Sequence, residues 1–156
     1  MTDKPSLFTA FRRHLQSTLA DLERAWAGAR DGMRVDGSHR PTNRGERAAV
    51  TSHGYLTAAL EARMTEVRAT LDLLDRIDPA PRAKVVTGAL VLVDEEGEQA
   101  RYLLLPGGQG HELPGGVRVL SPDSPLGESL WGLEEGEVAA VRRGAGRVEV
   151  EVLEVG

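Results

Sequence analysis

The stretch Leu71-Asp72-Leu73-Leu74-Asp75-Arg76-Ile77-Asp78-Pro79-Ala80-Pro81-Arg82-Ala83-Lys84-Val85-Val86 separates two kinds of sequence pattern. Upstream, apolar residues recur every three or four positions. Downstream they alternate or fall in short runs. Asp78-Pro79 ends a helix, because the proline ring pushes the residue before it out of the α region. Residues 79–83, with two prolines, read as a short stiff linker between a helical segment at 1–78 and a β-rich one at 84–156.

Working back toward the N-terminus, Leu56, Leu60, Met64, Val67, Leu71 and Leu74 predict one face of a helix from about Glu46 to Ile77, with Gly54 its weak point. Leu15, Leu19, Leu22, Trp26, Ala29 and Met33 predict the matching seam of a first helix from about Pro5, with Ser6 as N-cap and Gly32 near its end. Residues 34–46 lie between them. Gly37, Pro41, Asn43 and Gly45 break all periodicity there, so this is a loop. Two helices of similar length joined by one loop form an antiparallel coiled-coil hairpin, each burying its seam on the other. About 27 residues of helix reach about 40 Å, which holds the tip loop far from the hairpin's base.

Working forward, strands are expected at Lys84–Val93, Gln99–Leu105, Gly116–Leu120, Glu137–Arg142 and Arg147–Val155. Turn signals separate them, among them Glu96-Gly97 and the glycine clusters at 107–110 and 115–116, which read as hairpin turns. Ser124-Pro125-Leu126-Gly127-Glu128-Ser129-Leu130-Trp131-Gly132 reads as one short helix. The expected class is α+β: a helical hairpin followed by a small β-sheet domain carrying one helix.

The chain has 156 residues and a formal net charge of −5. It has no cysteine, which excludes disulfide scaffolds, zinc-thiolate sites and thiol catalysis. No apolar run is long enough for a helical membrane span and no secretory signal opens the chain, so a cytoplasmic location is expected. The net charge hides an asymmetry. Residues 1–81 carry 12 basic and 11 acidic side chains, whereas residues 82–156 carry 7 basic and 13 acidic, a net of −6. Five arginines (30, 34, 40, 44 and 47) concentrate around the hairpin's tip. The four histidines (14, 39, 53 and 111) show no ligand spacing and read as solvated surface positions. No metal site, cofactor or enzymatic constellation is expected.

The run Val119-Leu120-Ser121-Pro122-Asp123-Ser124-Pro125-Leu126-Gly127, then Leu130, Gly132, Gly136-Glu137 and a closing strand Val148–Val155, resembles the Gre family of bacterial transcript cleavage factors. The order hairpin, linker, β-rich domain agrees with that family, and His53-Gly54-Tyr55-Leu56 resembles its Gln-Gly-Phe-Ile segment. The resemblance implies an FKBP-like shape for the second domain. It also implies docking of that domain at the rim of bacterial RNA polymerase's secondary channel, through Asp123, Ser124, Pro125, Leu126 and Gly127. The hairpin would enter the channel and bring its tip near the catalytic metal. Cleavage factors of this family carry an Asp and a Glu three residues apart at the tip, suited to holding a second Mg²⁺ and positioning a water. Counting back from Gly54, those positions fall on His39 and Thr42, with Asn43 at the family's Asn. The tip therefore offers His39, Arg40, Thr42, Asn43, Arg44, Glu46 and Arg47, of which His39, Arg40, Arg44 and Arg47 repel a metal ion rather than bind it.

The resemblance thus implies a monomeric regulator that binds polymerase without stimulating RNA cleavage. Its basic tip would lie near the enzyme's carboxylates, the RNA 3′ end or an incoming nucleotide. Two alternatives stand beside it: a true cleavage and elongation factor using Asp36 or Glu46, and an FKBP-like interaction module with another partner.

Overall fold

The computed structural model describes residues 3–33, 44–108 and 110–156, with side chains for all of these except 32–33 and 44–53. Two long helices open the chain, α1 at Lys4–Met33 and α2 at Arg44–Arg76. Six strands follow: β1 (Leu90–Glu95), β2 (Glu98–Leu104), β3 (Glu112–Leu113), β4 (Val117–Leu120), β5 (Val138–Arg143) and β6 (Gly146–Val155). A third helix, α3 (Pro125–Leu130), lies between β4 and β5. The chain divides into two compact units, one of His14–Leu71 and one of the residues before His14 together with Asp72–Gly156.

The unit His14–Leu71 is the antiparallel hairpin. The Trp26 indole Nε1 donates to Glu61 at 2.9 Å, and Arg68 pairs with Glu23 at 3.4 Å, so moving back along α1 moves forward along α2. Leu15, Ala29, Met64 and Val67 are buried along the seam, while Leu19, Leu22, Trp26 and Leu60 are half-buried. Two helices alone leave the margins of such a seam wet. One expected seam residue is displaced: Leu56 is 49% exposed and Tyr55 75% exposed, whereas Gly54 and Thr57 are half-buried. The inward positions at this end of α2 thus fall on 54, 57 and 60. An α-helix drifts about 20° per heptad against a 3.5-residue repeat, so an apolar residue can rotate off the seam.

The helix starts one residue before the expected position. Lys4 is the first helical residue and Pro5 lies inside the first turn, where its missing N–H costs nothing. Leu7 N donates to the Asp3 carbonyl at 3.1 Å, and the Ser6 hydroxyl donates to the Asp3 carboxylate. Ser6 therefore serves the residue before the helix and is not itself the cap.

The other unit is built on one six-stranded mixed sheet ordered β3-β4-β2-β1-β6-β5. The β1–β2 hairpin closes on the two-residue turn Glu96-Gly97, both with positive φ (53° and 89°), and Gly97 N bonds the Asp94 carboxylate at 2.8 Å. Both residues in the left-handed region is the turn geometry that matches strand twist.

Two expectations need correction, and one strand was not expected. Lys84–Ala89 is not strand. Its backbone is satisfied by Val85 N to Leu133 O at 2.9 Å, Gly132 N to Val85 O at 2.7 Å and Gly88 N to Leu104 O at 2.7 Å. The glycine cluster at 107–110 makes no hairpin, because β2 pairs with β4 in parallel and the intervening chain forms β3. The two-residue strand β3 is too short for periodicity to reveal.

The core explains the continuous apolar runs. Val91, Val93, Leu104, Leu120, Val141, Val150 and Val152 line one face with Leu126 and Leu130 of α3. The alternate residues Leu103, Leu113, Val117 and Val119 are buried as well, so β2 and β4 are covered on both sides. Leu7, Phe8 and Phe11, from the first turns of α1, are also buried, with Phe11 at 0% exposure. The Phe11 ring stands 6.4 Å from the half-buried His111 and closes directly over Gly108, whose φ is 58°. His111, expected as a solvated surface residue, is thus part of this packing, and His14 too is half-buried.

Candidate functional site

The Ser-Pro segment builds a tight knot ahead of α3. Ser124 is the N-cap, with extended φ/ψ (−70°, 157°), and its hydroxyl accepts from Gly127 N at 3.1 Å. The same hydroxyl donates to the Ser121 carbonyl at 2.6 Å, and Ser124 N reaches that carbonyl at 3.1 Å. Ser121 Oγ accepts from Asp123 N at 3.3 Å. Pro125 occupies the first helical position, where its fixed φ is already helical. Gly127 is where the loop passes closest. A Cβ there would run into the Ser121 carbonyl oxygen, 3.0 Å from Ser124 Oγ and 3.1 Å from the Pro122 carbonyl carbon. Its need for glycine is therefore space, not backbone angle.

These contacts sort the five residues 123–127 by what they offer to a partner. Asp123 and Pro125 are exposed, Ser124 is half-buried with its hydroxyl engaged, and Leu126 and Gly127 are buried. Two residues present a surface and three hold it in shape.

Sequence reasoning missed the groove beside this knot. It has a volume of about 350 Å³, and Tyr102, Leu120, Leu126, Arg118, Arg142 and Arg143 are among the residues that line it. No acidic residue lines it. Arg143 is paired with Glu95 at 2.8 Å. Arg118 and Arg142 have no ion pair among the described residues. Trp131, the other aromatic of this half, lies outside the groove and is 47% exposed. The groove draws its lining from β2, β4, α3 and β5, far apart in the chain, so no local motif announced it.

At the opposite side of the sequence, Lys4 Nζ donates to the carbonyls of Ala80 (2.9 Å) and Gly156 (3.0 Å). Partial burial lowers its pKa from 10.5 to about 8; Arg82 adds to that shift and Asp78 opposes it. The tip residues His39, Arg40, Thr42 and Asn43 lie outside the described residues. Arg44, Glu46 and Arg47 fall in the first turns of α2, their side chains outside the description. Among the described residues no group of His, Asp and Glu could hold a metal ion, and no helix is long and apolar enough to cross a membrane.

A helical hairpin and a mixed-sheet unit, with a capped Ser-Pro knot on the sheet unit, define a two-part chain. Residues 80–156 match the family model described as "Transcription elongation factor, GreA/GreB, C-term". The chain is 31% identical over 118 residues to the transcription elongation factor GreA of Nitratidesulfovibrio vulgaris, covering 72% of this chain and 69% of that protein. It is 35% identical over 101 residues to the GreA of Alkalilimnicola ehrlichii, a match spanning 62% of each. The first relatives are thus matched over less than two thirds of their length. A solved structure of GreA factor homolog 1 (Gfh1) from Thermus thermophilus aligns over 93% of this chain and 94% of its own, at 17% identity and a TM-score of 0.39, an overlap too low to argue from. The chain belongs to the GreA/GreB family of transcription elongation factors.

Proposed function

We propose that this chain is a regulator that binds bacterial RNA polymerase, docking through Asp123 and Pro125 and inserting its hairpin into the secondary channel, and that it does not stimulate RNA cleavage. Membership of the family supports the partner. The observation that carries the non-cleaving reading is the sequence of the tip. Where the family's cleavage factors present two carboxylates, this chain has His39 and Thr42, flanked by Arg40, Arg44 and Arg47. Imidazole, hydroxyl and guanidinium groups cannot assemble the anionic pair that would hold a second Mg²⁺ beside a hydrolytic water. Guanidiniums instead suit phosphates and carboxylates, the groups that crowd a nucleotide-adding centre. Inhibition of synthesis or altered pausing follows from placing them there.

The test is a cleavage assay on backtracked elongation complexes with Mg²⁺, with co-elution on core polymerase as its control. Binding without faster cleavage is the expected result. Binding with faster cleavage would establish the cleavage-factor alternative, and failure to co-elute would remove polymerase as the partner. Reversing Arg40 and Arg44 to Glu should relieve inhibition while leaving binding intact. A prolyl isomerase would be the enzymatic form of the FKBP-like interaction module, and the groove disfavours it, because an isomerase pocket of that type needs an aromatic-lined cavity and Tyr102 is the one aromatic among the lining residues.

A further inference from the structure

Of the chain's 19 basic side chains only two are lysines, Lys4 and Lys84, and the fold treats them differently. Lys84 is exposed and paired with Glu134 at 3.7 Å. Lys4, the first residue of α1, is half-buried, and its Nζ donates to the main-chain oxygens of Ala80 (2.9 Å) and Gly156 (3.0 Å). All three residues lie in one compact unit. Two charged groups act on the amine, Arg82 and Asp78. The Asp78 carboxylate is engaged by Ala80 N at 2.9 Å, and among the described residues no carboxylate side chain is ion-paired with Lys4. Arg82 Nη2 donates to the Asp78 carbonyl at 2.7 Å, while its buried Nε has no partner, so the fold does not saturate this guanidinium.

This is the arrangement that makes a lysine a nucleophile: partial desolvation beside a second cation. A neutral amine has two N–H bonds and one lone pair. The two oxygens take both hydrogens, which leaves the lone pair for an electrophile. With a pKa lowered to about 8, first by burial and then by Arg82, about a quarter of this side chain is neutral at pH 7.5. A lysine at the ordinary 10.5 is neutral to about 0.1% at that pH. Intrinsic nucleophilicity falls with basicity and offsets about an order of magnitude of this gain, leaving about tenfold. Arg82 also selects the electrophile, because a guanidinium favours a phosphoryl group.

We propose that Lys4 is a modification site that accepts an acyl group from a small acyl phosphate. The amine attacks the acyl carbon, the C–O bond to phosphate breaks as the C–N bond forms, and inorganic phosphate leaves with the amine's proton. The product amide is uncharged and has one N–H in place of two, so it cannot donate to both Ala80 and Gly156. Acylation thus unfastens the first residue of α1 from the linker and from the end of β6. The inference is independent of what the chain docks to.

The test incubates the folded full chain with acetyl phosphate at about pH 7.5 and follows each lysine by tandem mass spectrometry, whose fragment ions separate Lys4 from the amino terminus. Lys4 should be acetylated about tenfold faster than Lys84. In denaturant the two rates should agree within about twofold, because the burial and the neighbouring cation are gone. The rate at Lys4 should level off above about pH 8 in the folded chain and keep climbing toward pH 10 in the denatured one. Arg82→Gln, its folding checked by circular dichroism, should slow Lys4 by about threefold or more and leave Lys84 unchanged. Equal rates at the two lysines of the folded chain would overturn the proposal, as would a preference for Lys4 that survives denaturation. The uncharged thioester N,S-diacetylcysteamine should show a weaker preference for Lys4, and an equal preference with both donors would overturn the choice of an acyl phosphate. Chain acetylated at Lys4 should melt below the unmodified chain, and an unchanged Tm would overturn the unfastening.

Discussion

Gly127→Ala is the sharpest perturbation the structure offers. The added methyl would meet the Ser121 carbonyl oxygen at a separation no real Cβ tolerates, with Ser124 Oγ and the Pro122 carbonyl carbon at 3.0 and 3.1 Å closing the other sides. No side-chain rotation relieves this, because the nearest obstacle is backbone. That carbonyl also accepts both Ser124 N and Ser124 Oγ, so moving it strains two hydrogen bonds and, through Ser124, the cap on Gly127 N. Overpacking of this kind costs about 1–3 kcal/mol, and loss of an N-cap adds about 1 kcal/mol. The sum, about 2–4 kcal/mol, is a large part of an ordinary domain's stability. For a chain of this size it should lower Tm by about 10 °C. Thermal unfolding followed by far-UV circular dichroism measures it, with Ser124→Ala as the partial control that adds no bulk but loses both hydrogen bonds of the hydroxyl, the cap on Gly127 N and the bond to the Ser121 carbonyl, and should fall by about 5 °C. If Gly127→Ala melts within about 2 °C of the wild type, the knot is not the rigid element described here. The assignment of Gly127 to shape rather than contact then fails with it.

Three further outcomes follow. Phe11→Ala removes a ring with 0% exposure and should cost about 3–5 kcal/mol in urea unfolding, with little change in the hairpin's helical signal until the sheet unit melts. Lys4 has a folded pKa near 8, below its ordinary 10.5, so between those values the unfolded chain binds the proton that the folded one releases. Folding stability of the wild type should therefore rise relative to Lys4→Met as pH goes from about 8 to 10.5, and a flat difference across that window would refute the burial of this ammonium. Asp123→Ala and Pro125→Ala change exposed residues and should weaken polymerase binding while shifting Tm by less than Ser124→Ala does; equal binding would remove the knot from the docking surface.

The sequence's strongest signals were those that repeat. The alternation of threes and fours through Leu15–Ala29 and Met64–Leu74 specified both helices, since the buried stripe of a helix must return every turn. The residues Ser124-Pro125-Leu126-Gly127 specified α3, because capping chemistry is local and readable at fixed spacing. The pair Glu96-Gly97 marked a turn for the same reason. Leu56 shows the limit of that logic: it fits the spacing yet faces solvent, because the seam's drift depends on the partner helix.

What the sequence by itself determined, then, is the two helices, the end of α2 just before Asp78-Pro79 and the knot before α3. Each depends on residues close together in the chain. Tertiary structure alone decided the parallel pairing of β2 with β4, the small strand β3, the non-strand path of Lys84–Ala89 and the packing of Phe11 over Gly108. It also decided which residues of β2, β4, α3 and β5 line one groove. Strand partners are chosen by burial on both faces of the sheet, a property of the assembled core. Charge is summed along the sequence but felt across space, so the net −6 of residues 82–156 does not by itself fix the sign of any one surface.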